Sequence, residues 1–468
     1  MARATHEGMA RWPWQRLMPA VSIRAMATVA VVLPGGGARG AYEIGALSVL
    51  LPALERRGER VSIWCGTSVG AINATALASL AHLPVAEQVS ETLALWSGMR
   101  KQDVISPIAG PGGARILTRI VKHALGIRGA ALASLLDPSP LAGSLDQWID
   151  WAQLQTNVRR EQIEAACVVA TSLETGDPVA FVSAANGAPT HSDDAIRYVK
   201  ARIQGEHVRA SAAIPLLFPA VEVRAPRAAR GHYIDGGTRL NSPIKPALNL
   251  GAEKVIVVGL EPFAAARSAA YANGNGHAPQ RRPTASDHVP GIADVAANML
   301  DGLLVDQVAY DLRRLAAINT FFAEDAVTGT SRAARAYRVA RGHKPYRPIS
   351  YALVAPRRRG DIGRLADAVF ERRYGGPRGL RDLDYVVISR VLGGRSRARG
   401  ELLSFLLFDE QFVSELVAMG RRDATRWLRR HPNFWCRDAN HDLSVDRLDR
   451  GLINEQQVLD EFRALRRH

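Results

Sequence analysis

The chain has 468 residues, 47% of them hydrophobic and 22% charged, which is ordinary globular usage in a chain long enough to bury a full core without cross-links. Its three cysteines (Cys65, Cys167, Cys436) form no CxxC pair, excluding a disulfide-stapled scaffold and a cysteine zinc site, and no run of 18 uncharged apolar residues offers a transmembrane helix. The net charge is +15, and residues 331–468 hold 29 Lys+Arg against 17 Asp+Glu. A basic face attracts anionic polymers or anionic lipid headgroups, although arginine-rich codon usage in a high-GC genome gives the same count. No helix-turn-helix, zinc-finger or RNP-like string accompanies the charge, so nucleic acid is not an expected partner.

Residues 1–27 carry Arg3, Arg11, Arg16 and Arg24, the last interrupting the only apolar run, and read as a flexible leader rather than a signal peptide. Val29–Leu33 predicts a buried strand, Gly35–Gly40 a turn, and Ala41 onward a helix with Ile44, Leu47, Leu50 and Leu51 on its apolar face. Val61–Cys65, then GTSVG, then Ala71–Leu80 repeat the strand–turn–helix pattern. Two such units in succession predict an α/β architecture with a parallel sheet and crossover helices. Met99–Trp151 is helical in pattern, broken at Pro107–Gly113 and Asp137–Pro138. Strands follow at Cys167–Ser172 and Val179–Ser183. Val208–Phe218 is helix-like and ended by Pro215 and Pro219. Two short strands come next, at Val221–Arg224 and His232–Ile234, with a central strand at Lys254–Leu260.

Residues 261–291, rich in Ala, Gly, Asn, Pro and Arg, read as a flexible loop or linker. Helical spacing returns over Ile292–Ile318, and Ser350–Pro356 predicts one more strand. Asp361–His468 is helical and basic, with an apolar stripe at Leu402, Leu403, Leu406, Leu407, Phe412, Val413, Leu416 and Val417. The expected organisation is a leader (1–27), a catalytic domain (28–260), a linker (261–291), a continuation of that domain (292–356) and a helical basic C-terminal region (357–468).

Gly66-Thr67-Ser68-Val69-Gly70 fits GxSxG. Its place between a predicted strand and a predicted helix suits a sharp turn that exposes the Ser68 hydroxyl, with Gly66 and Gly70 permitting close strand–helix approach. Gly35-Gly36-Gly37-Ala38-Arg39-Gly40 fits GxGxxG. A dinucleotide fingerprint also needs an acidic residue ending the second strand, and here that strand ends in Cys65-Gly66; GK[ST] is missing too. What remains is a row of backbone N–H groups at a helix N-terminus, the donors that stabilise an oxyanion. A serine needs a base. No histidine after Ser68 is marked out by its surroundings, whereas Asp235 ends a short strand and is followed by Gly236 and Gly237.

GGGARG, GTSVG and DGG, in that order, resemble the patatin-like phospholipases, as do Ala210–Pro215 leading to Phe218-Pro219 and DGGTRLNSPI at Asp235–Ile244. The resemblance covers about Ala30–Leu260 and extends more loosely to Phe408-Asp409 and Gly420–Ala424; Pro34 opens the first loop where many members have a small or polar residue. It implies a three-layer α/β/α fold with a mostly parallel central sheet, followed by a helical, basic C-terminal extension. It further implies Ser68 as nucleophile and Asp235 as base of a Ser-Asp dyad. The amides of Gly36, Gly37 and Ala38 would form the oxyanion hole, with Arg39 holding that loop or a phosphate. No cofactor or metal is required.

The implied activity is a phospholipase A-type lipid acyl hydrolase at a membrane surface, acting on phospholipids or other long-chain acyl esters. Peripheral contact with anionic membranes and a cytoplasmic location go with it. The alternative is a soluble esterase, thioesterase or acyltransferase on non-bilayer acyl substrates. Trp96, Trp148 and Trp151 would wall an acyl pocket or simply pack the core. Asp438, Asn440, Asp442, Asp446 and Asp449 echo a calcium loop, but Leu443 stands where the turn glycine belongs and the last ligand is Asp rather than Glu. A capped helix turn accounts for them.

Overall fold

The computed structural model describes residues 27–107, 136–185, 187, 189, 196–262, 319, 339–340, 349–382, 384–385 and 399–436. The expected leader to residue 26, nearly all of the 261–291 linker, the 292–318 helix and the calcium-like residues 438–449 lie outside them. In chain order the elements are β1 (Val29–Leu33), α1 (Gly40–Glu55), β2 (Val61–Thr67), α2 (Val69–Ser79), α3 (Val85–Gly98), α4 (Lys101–Val104), α5 (Ser139–Trp148), α6 (Trp151–Arg159), β3 (Ala165–Ser172), β4 (Pro178–Ala184), β5 (Arg197–Lys200) and α7 (Gly205–Ser211). There follow β6 (Val221–Val223), β7 (Gly231–Asp235), α8 (Gly237–Leu240), α9 (Ile244–Asn249), β8 (Lys254–Val258), β9 (Ser350–Val354), α10 (Asp361–Tyr374), α11 (Arg399–Leu406) and α12 (Glu410–Arg430).

The strands form one sheet in the order β5-β4-β3-β2-β1-β8-β9, with β7 also pairing β3 and β6 pairing β7. The run from β3 through β2, β1 and β8 to β9 is parallel, as crossover helices require; β4 and β7 join β3 antiparallel. Successive residues face opposite sides: Val29, Val31 and Leu33 enter one core with α1, α2 and α3, while Ala30 and Val32 enter another with Ile244 and Ala247 of α9. The sheet is therefore the middle layer of an α/β/α fold. The C-terminal helices belong to the first of these layers. Leu402, Leu406, Phe412 and Leu416 share a core with Val31, Tyr42 and Leu47.

Two departures from the sequence reading have physical causes. Only Val208–Ser211 of the 208–218 segment is helical, as the end of α7; beyond it Leu216, after Pro215, takes φ 68°, which no α-helix accommodates. Strand β5 went unpredicted because Arg197 and Lys200 are exposed and only Val199 of its four residues is buried, too short an apolar pattern to read.

Helix α12 lies on α1 through two glycines. A Cβ on Gly45 would strike the Val417 backbone and one on Gly420 the Tyr42 carbonyl, and Tyr42 Oη donates to Asp423 Oδ2 at 3.1 Å beside that crossing. Gly420→Ala is expected to wedge the helices apart and cost about 1–3 kcal/mol. Urea unfolding checks this: the midpoint should fall with the slope unchanged.

Candidate active site

Ser68 sits between β2 and α2 with φ 54° and ψ −125°, a left-handed conformation unusual for a side-chain-bearing residue and worth about 1–3 kcal/mol of strain. Its neighbours make that turn possible. A Cβ on Gly66 would meet the Gly70 carbonyl, and one on Gly70 the Leu33 carbonyl, so only glycine lets α2 start this close to β1 and β2. The Ser68 amide donates to Ser211 Oγ at 2.8 Å, and that hydroxyl donates to the Val169 carbonyl at 2.5 Å. The turn is thus held from β3 and α7 as well as from its own chain.

Strand β3 is longer than β2. Antiparallel β4 occupies one edge of it from Ala165 to Thr171, so β2 and β7 must share the other. There β2 pairs with Ala165–Val169 and β7 with Ala170–Ser172. Thr67 opposite Val169 is therefore followed along the same edge by Asp235 opposite Ala170, and the two strands meet end to end. This register brings Ser68 Oγ to 2.6 Å from Asp235 Oδ2, a separation typical of a charge-assisted O–H···O⁻ bond. Asp235 Oδ1 accepts from the Gly237 amide at 2.7 Å, and a Cβ on Gly236 would meet the Val169 carbonyl. Burial pushes the fully buried Asp235 carboxyl from the ordinary range up to about 7, against the opposing pull of the Ser68 and Gly237 hydrogen bonds. Among the described residues no histidine bonds Ser68 or Asp235. His207, the one buried histidine among the described residues, is held by Ala225 and Gln204 instead.

The glycine loop follows β1. The Gly35 amide donates to Asn241 Oδ1 at 2.9 Å, and a Cβ on Gly35 would come within 2.9 Å of Ser68 Cβ. Gly37, at φ 59°, lies against the Phe405 carbonyl. Among the described residues, the amides of Gly36, Gly37 and Ala38 have no protein acceptor. Arg39 engages its amide within the loop, donating to the Gly36 carbonyl at 3.2 Å. Its guanidinium, 1% exposed, binds Ser404 Oγ and the Glu401 carbonyl at 2.6 Å each and Glu401 Oε2 at 2.7 Å, over the Phe405 ring. Arg39 therefore holds the loop to α11 through Nε and Nη2.

Gly40 begins α1 against Val69 and Trp96. Asn73 of α2 ties the three together, donating to the Gly40 carbonyl at 3.1 Å and to Glu43 Oε2 at 2.8 Å while accepting from Trp96 Nε1 at 2.8 Å. Burial raises the Glu43 carboxyl well above its ordinary value, against the Asn73 hydrogen bond.

Ser68 and Gly37 open onto a narrow cleft with about 30 Å³ of accessible room. The rest of its lining is apolar, from four parts of the chain: Val69 and Ile72 of α2; Met99, Val104, Leu141 and Trp148 around α4 and α5; Ala212, Ile214 and Phe218 after α7; and Phe405, Leu406 and Phe408 around α11. Of the three tryptophans considered from sequence, Trp148 lines the cleft. Trp96 is buried on Asn73, and Trp151 donates to Asp146. Sequence reasoning did not assign roles to Ser211, Asn241, Glu401, Ser404 or Phe405. The first two lie inside strings already quoted, but the last three lie more than 360 residues from Arg39, where only folding connects them. Among the described residues no three His, Cys, Asp or Glu side chains cluster to hold a metal.

The family model for patatin-like phospholipases matches residues 31–248, a span containing Ser68, Asp235 and the glycine loop. These residues form a patatin-like phospholipase domain. No curated protein matches the chain. Among solved structures, VipD from Legionella pneumophila aligns at 16% identity over 52% of this chain and 51% of its own, with a TM-score of 0.26. The chain thus spans about half of VipD. ExoU–SpcU, a heterodimeric complex of the Pseudomonas aeruginosa type III secretion system, aligns at 15% identity over 81% of this chain and 74% of its own, with a TM-score of 0.20. The helices after residue 360 that complete the cleft of the patatin-like domain lie outside the matched span.

Linkage gives a test of the carboxyl's surroundings. An acid whose pKa is raised on folding binds more protons folded than unfolded, so stability falls as pH rises from about 4 through about 7. Above that range ionised Asp235 costs on the order of 4 kcal/mol relative to a neutral side chain. Asp235→Asn is expected to flatten this decline and to melt higher than wild type at pH 8, as read by calorimetry at pH 5 and pH 8.

Proposed function

We propose that the chain is a serine lipid acyl hydrolase of phospholipase A type, with Ser68 as nucleophile, Asp235 as its base and the amides of Gly36, Gly37 and Ala38 as oxyanion donors. The observation that carries this reading is the 2.6 Å Ser68 Oγ–Asp235 Oδ2 hydrogen bond at the wall of an apolar cleft. The patatin-like domain supports lipid hydrolysis at the coarser level.

In the proposed reaction the acyl chain lies in the cleft with its ester carbonyl at Ser68. Oγ bonds to the carbonyl carbon as Asp235 Oδ2 takes its proton. Charge developing on the carbonyl oxygen is met by the loop amides. Collapse of the tetrahedral intermediate breaks the ester C–O bond, and the departing alkoxide takes the proton from Asp235. Water then attacks the acyl-serine, giving its proton to Asp235, and release of the fatty acid restores the serine hydroxyl. A carboxylate near pKa 7 is a far better base at neutral pH than one near 4, and burial supplies that basicity without a histidine.

The substrate is assigned to a lipid surface because the cleft offers an acyl chain apolar contact and offers a soluble acyl carrier no charged side chain. The C-terminal excess of 29 Lys+Arg over 17 Asp+Glu already counts the acids that pair with its arginines. Five of its arginines are already paired: Arg364 with Asp361, Arg372 with Glu415, Arg373 with Asp409, Arg399 with Asp367 and Glu371, and Arg426 with Asp423. No helix among the described residues is long and apolar enough to cross a membrane.

The test is fatty-acid release from phosphatidylcholine–phosphatidylglycerol vesicles. Ser68→Ala and Asp235→Asn are expected to abolish it, and wild-type kcat/KM should rise with pH and level off above about 7. Undiminished release by either variant would refute the reading.

A further inference from the structure

Between α7 and β6 the chain makes a turn whose two sides belong to the cleft. Ile214 and Phe218 line it, the Phe218 amide donates to the Ile214 carbonyl at 2.8 Å, and the Leu217 carbonyl accepts from the Leu136 amide at 2.9 Å. The turn is therefore fixed at its base. At its tip Leu216 is 64% exposed and sits at φ 68°. Each feature is unfavourable in water: the left-handed region suits Gly or Asn far better than a bulky side chain, and an isobutyl group gains nothing by facing solvent. A single exposed apolar residue is ordinary on a protein surface. A strained one, held out by a turn that walls the cleft, is not, and strain of this kind gathers where it serves a function.

Building on the lipid-hydrolase reading, we infer that Leu216 is an interfacial anchor, which enters the hydrocarbon layer of a phospholipid bilayer and seats the mouth of the cleft on the lipid. A bilayer is the occupant that fits. One leucine is far too small a contact for a protein interface, which buries about 800 Å² per partner, whereas in hydrocarbon it gains about tenfold in partition, which adds to the other contacts of the cleft mouth with the lipid. With the mouth so seated, an acyl chain passes from the bilayer to Ser68 without crossing water.

The experiment compares wild type with Leu216→Asn, which keeps the left-handed backbone and loses the apolar group, and with Leu216→Met, which keeps apolar character. Partition onto sedimenting phosphatidylcholine–phosphatidylglycerol vesicles is measured together with hydrolysis of the water-soluble ester p-nitrophenyl butyrate. Leu216→Asn is expected to partition about tenfold more weakly, as loss of one largely buried leucine side chain predicts, and to release fatty acid from vesicles correspondingly less. Its kcat/KM on the soluble ester should be unchanged, and Leu216→Met should stay close to wild type. Wild-type partition by Leu216→Asn would overturn the inference, as would an equal loss on the soluble ester, which would mean that the residue shapes the cleft. If folded wild type hydrolyses neither substrate, the hydrolase reading fails on its own, while the partition comparison still decides the role of Leu216.

Discussion

The site depends on one shared strand edge. Strand β3 outruns β2 by a few residues, and antiparallel β7 fills the space left on that edge. Two chain segments separated by 167 residues therefore stop at the same point, one ending in a strained serine and the other in an aspartate. Because the register is backbone pairing inside a buried sheet, neither side chain needs a flexible arm to find the other. Slipping β7 by one residue would turn Asp235 to the opposite face of the sheet. The glycines on either side are the consequence: Gly66, Gly70 and Gly236 each lie where a carbonyl leaves no room for Cβ.

The same geometry raises the Asp235 carboxyl toward the basicity that the proposed Ser-Asp pair requires. Burying Asp235 at the meeting of two strands removes it from water and raises its pKa toward neutrality, while the Ser68 and Gly237 bonds limit the rise. Stability and chemistry are opposed here. A buried carboxylate weakens the fold at the pH where it serves best as a base, and a left-handed serine adds to that strain. The rest of the domain offsets both through a large continuous core.

The sequence made β1, β2, β3, β8 and β9 legible because each is a short apolar run between turn residues. It also made Ser68, Asp235 and the glycine loop legible because chemistry at a strand-to-helix turn leaves a compact local signature. What it hid was long-range. Glu401, Ser404 and Phe405 bear on the loop through Arg39 and Gly37, yet in the sequence they are only part of an amphipathic helix. The stripe from Leu402 to Val417 was visible, but periodicity does not say which surface a stripe covers. It covers α1 and the cleft, so the C-terminal helices build part of the site, and their arginines are partly spent on neighbouring carboxylates. Leu216 was hidden for a different reason: left-handed backbone at a leucine has no sequence signal.

The most direct test of the account is covalent. A long-chain alkyl fluorophosphonate loses fluoride to an activated serine and leaves a stable phosphonyl ester, which peptide mass spectrometry assigns to one residue. The account predicts a single adduct on Ser68, formed at a rate that rises with pH and levels off above about 7, and formed far more slowly in Asp235→Asn. An adduct on another serine, or labelling of Ser68 at the same rate without the Asp235 carboxylate, would contradict it.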